Sequence, residues 1–313
     1  MKRSPFLIAF SVAAVLLGIL LGVLWVNFSE SSVQEHERKA MESSDTRPIL
    51  VIVPHPDDEA FGFSGTLGAA VTAGAPVRVF LLSDGEYANI AEQWVQEHLD
   101  SGSSAGLSGD LNNDGVIDRY DFGAARRGEF KSSMEVLGIL EDDVVFLGNA
   151  YGDAPGDFTQ SAEALAEYIR FDSEQAGFPL DNSIRIFTVA PQLGDDDKAI
   201  FYGENYGSQI PQLHNVAAET AWLLGTSDLQ IDPSNVYLFK VYAHGKRKSA
   251  LQAPIVFVPS DEATSNRRKQ SIEQYANLGK KNAPYIYRGA LQSNYEYAAT
   301  LRQIIDAGFE LQW

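Results

Sequence analysis

The stretch Ile49-Leu50-Val51-Ile52-Val53-Pro54-His55-Pro56-Asp57-Asp58-Glu59 changes character halfway along. Five apolar residues run directly into two prolines, a histidine and three acids. A short run that is apolar at every position offers water no polar face. It therefore reads as a strand buried on both sides, as in a parallel sheet. In open parallel sheets, ligands gather just past the carboxyl ends of the strands. The residues able to do chemistry thus stand where such a sheet would display them. His55 and Asp58 are three positions apart with Asp57 between them. That is a compact source of two metal ligands and one spare carboxylate.

The neighbouring segments fit the same architecture. Residues 60–73, with Gly62, Gly65 and Gly68, read as a glycine-rich helix packed close on the sheet and ended by Gly74-Ala75-Pro76. Val77–Leu82 is a second buried strand with Ser83-Asp84-Gly85-Glu86 at its carboxyl end, which completes a βαβ unit. Residues 86–99 read as a helix. Phe130, Met134, Leu137 and Leu140 recur at helical spacing within Gly123–Leu140. Further strands are expected at Val144–Leu147, Ile184–Val189 and Val236–Tyr242. Further helices are expected at Ser161–Phe171, Asn215–Leu224, 263–276 and 293–307. The fold class is α/β: a Rossmann-like, mostly parallel sheet with helices on both faces, spanning residues 47–313.

Composition bounds the partners. Asp and Glu number 42 against 24 Lys and Arg, a formal net charge of −18. Binding nucleic acid through a basic face needs clustered cations, so that class is disfavoured. There is no cysteine, which excludes disulfides and thiolate metal sites and leaves His, Asp and Glu as metal ligands. At the N-terminus, Lys2 and Arg3 precede Phe6–Val26, which is almost wholly apolar. At about 1.5 Å per residue that run spans about 30 Å, the thickness of a bilayer's hydrocarbon core. It is longer than an ordinary signal-peptide core, and no Ala-x-Ala cleavage site follows. An uncleaved signal anchor is therefore expected over residues 6–27, preceded by a cytoplasmic stretch over 1–5. A Ser-, Glu- and Gln-rich stalk over 28–46 would carry the folded domain outside the membrane. A cleaved, secreted form is the alternative.

Residues 101–122 read as an insertion. Inside it, Asp110-Leu-Asn112-Asn-Asp114-Gly115-Val116-Ile117-Asp118-Arg-Tyr-Asp121 fits a twelve-residue calcium loop. Side-chain oxygens fall at positions 1, 3, 5, 9 and 12, Val116 offers its carbonyl at 7, and Gly115 sits at the sharp turn. Asp121 at the last position, in place of Glu, resembles dockerin-type calcium repeats. Dockerins carry a pair of such loops and this chain has one, so no cohesin-binding module is expected.

Of five histidines, His36 lies in the stalk and His98 at a helix end, while His55, His214 and His244 each adjoin a strand end or a helix start. Strand ends collect at one edge of a parallel sheet, so these three can converge. Two histidines and an aspartate with an open fourth position form a catalytic zinc arrangement. Here a resemblance becomes specific. Pro54-His55-Pro56-Asp57-Asp58-Glu59 after a buried strand resembles the signature of the PIG-L/LmbE superfamily of zinc-dependent N-deacetylases. Ser83-Asp84-Gly85-Glu86, Arg126-x-x-Glu129 with Leu137-Gly138, Phe146-Leu147-Gly148 and His214-Asn215-Val216-Ala217 resemble its later motifs, in the same order.

The resemblance covers roughly residues 48–245. It implies that His55, Asp58 and His214 ligate zinc and that Asp57 is the general base. The reaction implied is removal of an N-acetyl group from an amino sugar or glycan. The family often places a second histidine three residues before the late ligand. Here that position is Pro211, which leaves His244 as the available catalytic replacement, against a plain reading as a surface histidine beside Lys246, Arg247 and Lys248. Asp84 is expected either to bind substrate or to cap the next helix. Arg126 is expected either to pair with Glu129 one turn away or to bind substrate. Tyr151, Phe201, Tyr202 and Tyr206 suit stacking on sugar rings and suit packing under a loop equally well. Two other functions stay open: a calcium-stabilised carbohydrate-binding protein with weakened turnover, and a zinc amidase of the same fold acting on a non-sugar amide.

Overall fold

A computed structural model describes residues 45–86, 91–100, 111, 114–147, 161–189, 201–202, 210–211, 213–226, 231, 235–239, 255–257, 262–275 and 309–311. These belong to one compact unit, Ser43–Trp313. The expected anchor, nearly all of the stalk, the helix at 293–307 and His244 lie outside the described residues. Among the described residues no helix is long and apolar enough to cross a membrane.

In chain order the first elements are β1 (Ile49–Val53), α1 (Asp58–Gly62), α2 (Ser64–Thr72), β2 (Val77–Leu81), α3 (Ala91–Asp100) and α4 (Arg119–Leu137). Then come β3 (Val144–Phe146), α5 (Ala162–Gln175), β4 (Arg185–Val189), β5 (Phe201–Tyr202), β6 (Ile210–Pro211) and α6 (Leu213–Thr226). The last are β7 (Val236–Phe239), β8 (Ile255–Phe257), α7 (Glu262–Tyr275) and β9 (Phe309–Leu311). Five strands form one parallel sheet in the order β3-β2-β1-β4-β7. The chain thus builds outward from β1 on one side, then returns to build outward on the other. The order reverses between β1 and β4, and that is where a doubly wound sheet opens its crevice.

The position of β1 follows from its composition. All five of its residues are fully buried. Successive side chains point to opposite faces of a sheet. Ile49, Val51 and Val53 accordingly join Phe63 and Leu67 near α2, Phe130, Met134 and Leu137 of α4, and Ile272 and Tyr275 of α7. Leu50 and Ile52 join Leu165 and Ile169 of α5 with Val216, Ala217, Ala221 and Leu224 of α6. Each such burial contributes roughly 1.5–3 kcal/mol, and among the strands whose burial is described only β1 is apolar at every position and fully buried throughout.

Several elements depart from the sequence expectation in informative ways. The glycine-rich helix at 60–73 is two helices, broken at Phe63, whose backbone at φ −152° and ψ 16° leaves the helical region. It also begins earlier, so that Asp58 and Glu59 lie in the first turn of α1. Helix α4 starts at Arg119 rather than Gly123, because Asp118 and Asp121 form a capping box there. Helix α6 starts at Leu213, which puts His214 inside its first turn. The antiparallel pairs β5–β6 and β8–β9 were not foreseen.

Candidate active site

The chain leaves β1 through Pro54-His55-Pro56 and enters α1 directly, so the sheet's most buried strand delivers the motif to the crevice. Asp58 is fully buried and forms the centre of the cluster. Its Oδ2 accepts the backbone N–H of His55 at 3.0 Å. The same oxygen lies 3.3 Å from His55 Nδ1 and 3.3 Å from His214 Nε2. The two imidazole rings are 5.2 Å apart and tilted by 44°. One donor atom from each of His55, Asp58 and His214 fits within 4.8 Å of the others.

These separations suit a metal better than they suit direct hydrogen bonds. A good N–H···O contact is about 2.9 Å. Around a tetrahedral zinc with bonds of about 2.0–2.1 Å, neighbouring ligand atoms stand about 3.4 Å apart. Asp58 Oδ1 is also buried with no hydrogen-bond partner among the described residues. Two imidazoles and a carboxylate, one of whose oxygens is unengaged, form a donor set that fits zinc.

The neighbouring acids are under electrostatic tension. Burial penalises a charge on Asp58, yet His214 and His55 beside it hold its carboxyl well below the usual range. Asp57 goes the other way: burial pushes it up to about 8 against the pull of Arg126, and Asp58 and Glu59 add to the rise. Burial likewise pushes Glu59 up to about 7, against hydrogen bonds from Tyr275 and Ser133. Glu129 is driven well above its ordinary value by burial, with Arg126 opposing. Asp57 occupies the N-cap position of α1, but its side chain makes no capping hydrogen bond. It faces Arg126 instead, with Nη2 3.1 Å from Asp57 Oδ2.

Arg126 is a buried strut from α4. Besides Asp57, its guanidinium donates to the carbonyls of Pro56 and Gly85. The helix can come this close because Gly123 has no side chain. A Cβ there would lie 3.1 Å from Glu86 Cβ and 3.2 Å from Asp84 Cβ, tighter than ordinary contact. Asp84 is buried and paired with Arg127, whose Nε donates to Asp84 Oδ1 at 3.0 Å. That partner belongs to neither expected role. The structure therefore brings His55, Asp57, Asp58, His214 and Arg126 together and seats Asp84 against the adjoining arginine. Pro211 lies in β6, paired with Phe201.

Three groups at the site are not legible in the sequence. Tyr275 donates to Glu59 Oε1 at 2.6 Å across 216 residues, and Ser133 donates to the same oxygen at 2.8 Å. Nothing local to Tyr275 or Ser133 announces this. Arg127 was overshadowed by Arg126, although its place beside it on α4 was visible.

In the expected calcium loop, Asp110 and Asn112 lie outside the described residues. Gly115 has φ +89°, and Asp114 Oδ1 accepts the N–H of Val116 at 2.9 Å. Asp118 caps α4, accepting from Tyr120 at 2.8 Å. Asp121 is fully buried, and its carboxylate accepts from Leu111 at 2.6 Å and Asp118 at 2.8 Å. Ile117 and Leu111 pack on a small cluster built from Trp94, Phe122 and Ala125.

Fold and site together define a doubly wound α/β protein with a candidate His–Asp–His metal centre at its switch point. Residues 50–184 match the PIG-L family, described as GlcNAc-PI de-N-acetylase. A 1D-myo-inositol 2-acetamido-2-deoxy-alpha-D-glucopyranoside deacetylase of Catenulispora acidiphila is 25% identical over 232 residues, 72% of this chain and 69% of that protein. Among solved structures, the A40926 pseudoaglycone deacetylase aligns at a TM-score of 0.50 with 18% identity, covering 86% of this chain and 97% of that one. A triple mutant of a deacetylase of the teicoplanin biosynthetic pathway aligns at 0.50 with 15% identity, covering 85% and 95%. The family match and the curated relative support the PIG-L/LmbE superfamily and, within it, a deacetylase hydrolase.

Proposed function

We propose that this protein is a zinc-dependent N-deacetylase that removes acetyl groups from an N-acetylated amino sugar or glycan, with its domain held outside the cytoplasmic membrane by the N-terminal segment. The observation that carries the reading is the cluster of His55, Asp58 and His214 at tetrahedral spacing, with Asp57 beside it but turned toward Arg126. The curated relative's N-acetylglucosamine-type substrate supports the sugar assignment.

His55, Asp58 and His214 would hold the zinc. Bound there, it would supply Lewis-acid polarisation of the acetyl carbonyl and a water acidic enough to attack near neutral pH. Asp57 accepts the proton of the attacking water at a carboxylate oxygen as the new C–O bond forms. It returns that proton to the amine nitrogen as the C–N bond breaks, leaving acetate and a free amine. Arg126 pairs with the Asp57 carboxylate and favours its charged form, against the burial that pushes its pKa up. His244 is the candidate for the oxyanion or leaving-group role, given proline at position 211.

Acetate release from N-acetylglucosamine and N,N′-diacetylchitobiose tests this reading. Release should stop with a chelator, return with zinc, and fall by about 10²–10⁴-fold in Asp57→Asn. A zinc-loaded protein that releases no acetate from any N-acetylated sugar would refute it, as would an Asp57→Asn variant with unchanged turnover.

The loop at 110–121 is proposed as a structural calcium site. Calcium should raise the melting temperature of the native protein, and Asp114→Ala should abolish the rise. A native protein indifferent to calcium would remove this part of the proposal.

A further inference from the structure

Among the described residues, Asp57 alone of the non-glycines has a left-handed backbone, at φ +106° and ψ −26°. Such a conformation costs about 1–3 kcal/mol and persists where the surroundings enforce it. The enforcing contacts are identifiable. Arg126 holds the carbonyl of Pro56 on one side of the residue. On the other side, the N–H of Asp57 donates to Glu59 Oε2 at 3.3 Å. The opposite oxygen of Glu59 accepts from Tyr275 Oη and Ser133 Oγ. Ser133 has one hydroxyl proton and gives it to Glu59, so the 2.8 Å contact to Ser271 has Ser271 as the donor. Glu59 and Ser133 are fully buried and Tyr275 nearly so, which leaves bulk water no part in the arrangement.

We propose that Glu59 is a positioning residue for the deacetylation, clamped by Tyr275 and Ser133 so that it locks Asp57 in its left-handed turn and aims the carboxylate at the attacking water. The proposal rests on Asp57 being the general base. Its physical content is a chain of dependence. Helix α7 fixes the Tyr275 hydroxyl, the hydroxyl fixes the Glu59 carboxylate, and Glu59 fixes the peptide that carries the base. Helix α7 lies outside the matched residues 50–184 and contributes no group to the metal cluster, yet by this route it governs the direction of proton transfer. The Asp58 side chain does not depend on Glu59 in this way, because its anchors are His55 and His214. Loss of the clamp should therefore slow turnover without releasing the metal.

The experiment compares native protein with Tyr275→Phe, Glu59→Gln, Glu59→Ala and Glu59→Ala/Tyr275→Phe, all zinc-loaded. It reads kcat, KM, zinc content and hydrogen exchange over residues 55–62. Misplacement of a reacting group by about 1 Å can cost about 10²-fold, so Glu59→Ala should lose about that much in kcat, and Tyr275→Phe about tenfold. KM and zinc content should stay unchanged in both. Glu59→Gln should lose less kcat than Glu59→Ala, because its one carbonyl oxygen can accept from Asp57 N–H while its amide N–H groups donate to the two hydroxyl oxygens, which must turn their own protons elsewhere. Tyr275→Phe should add nothing in the Glu59→Ala background, since it acts through Glu59.

Exchange at Asp57 and its neighbours should quicken by about tenfold in Glu59→Ala, with or without turnover. A native protein that releases no acetate would therefore overturn the deacetylase function while the exchange result still decided the clamp. The clamp is refuted if exchange over 55–62 and kcat both match native, if the losses appear equally in zinc content or KM, or if Tyr275→Phe costs as much without Glu59 as with it. If Glu59→Ala fails to fold, the near-isosteric Tyr275→Phe decides on the same readouts.

Discussion

The two ends of the parallel sheet treat buried charge in opposite ways. At the amino end, Asp45 meets Arg47 at 2.8 Å and Arg185 at 3.3 Å. Arg185 also donates to the carbonyls of Asp45 and Arg47, and Arg47 reaches the Asn235 side chain at 2.9 Å. Burial works against the Asp45 charge, but these arginines hold its carboxyl below the usual range. At the carboxyl end, Asp57, Asp58, Glu59, Asp84, Glu86 and Glu129 are all buried, with Arg126 buried and Arg127 partly exposed among them. There burial wins at Asp57, Glu59 and Glu129 and pushes them up.

One end uses charge to tie strand starts together. Among the described residues, the other holds more acid than cations to neutralise it. A cluster of this kind makes sense where a divalent cation completes it and where a proton acceptor must be poised for chemistry.

The sharpest way to break this comparison is to exchange what each end is asked to do. Asp57→Asn should lower kcat by about 10²–10⁴-fold while leaving the melting temperature no lower at pH 8, since it removes a charge that burial disfavours. A large thermal loss would make the carboxyl end scaffolding like its counterpart. Arg185→Met should do the reverse. It leaves two carbonyls without their buried donor and Asp45 with Arg47 alone, so urea denaturation should show a loss of about 3 kcal/mol, with kcat per folded molecule unchanged. A smaller effect should come from α4, which carries Arg126 to the site. Asp118→Ala removes its N-cap and should cost about 1 kcal/mol in urea, within the usual range for a lost cap. An unchanged midpoint would mean that the preceding loop holds the helix without the cap.

How much of this was visible in the sequence depended on whether the cause was local. The run Ile49–Val53 sufficed for the parallel sheet, because a uniformly apolar strand has one place to go, and the motif after it supplied two members of the candidate metal cluster, His55 and Asp58. His214 was found through the motif order, and the structure adds that it sits inside α6. Other features were legible but ambiguous. Asp118 and Asp121 suit a calcium loop and also make a capping box, and only the backbone displays the box. Arg185 lies within a strand that is otherwise apolar apart from Thr188, and its role at the amino end depends on Asp45, 140 residues away. The Glu59–Tyr275 bond and the ion pair of Arg126 with Asp57 are likewise products of tertiary packing, with no periodicity or spacing to reveal them.

The central claim is that the acidic end of the sheet is a metal centre. Metal analysis of the purified protein tests it most directly, comparing native chain with Asp58→Ala and His214→Ala after equilibration with micromolar zinc. The account predicts one tightly held zinc in the native chain and its loss in both variants, with the fold retained. A native chain that holds no zinc, or variants that hold it as well as the native chain does, would contradict it.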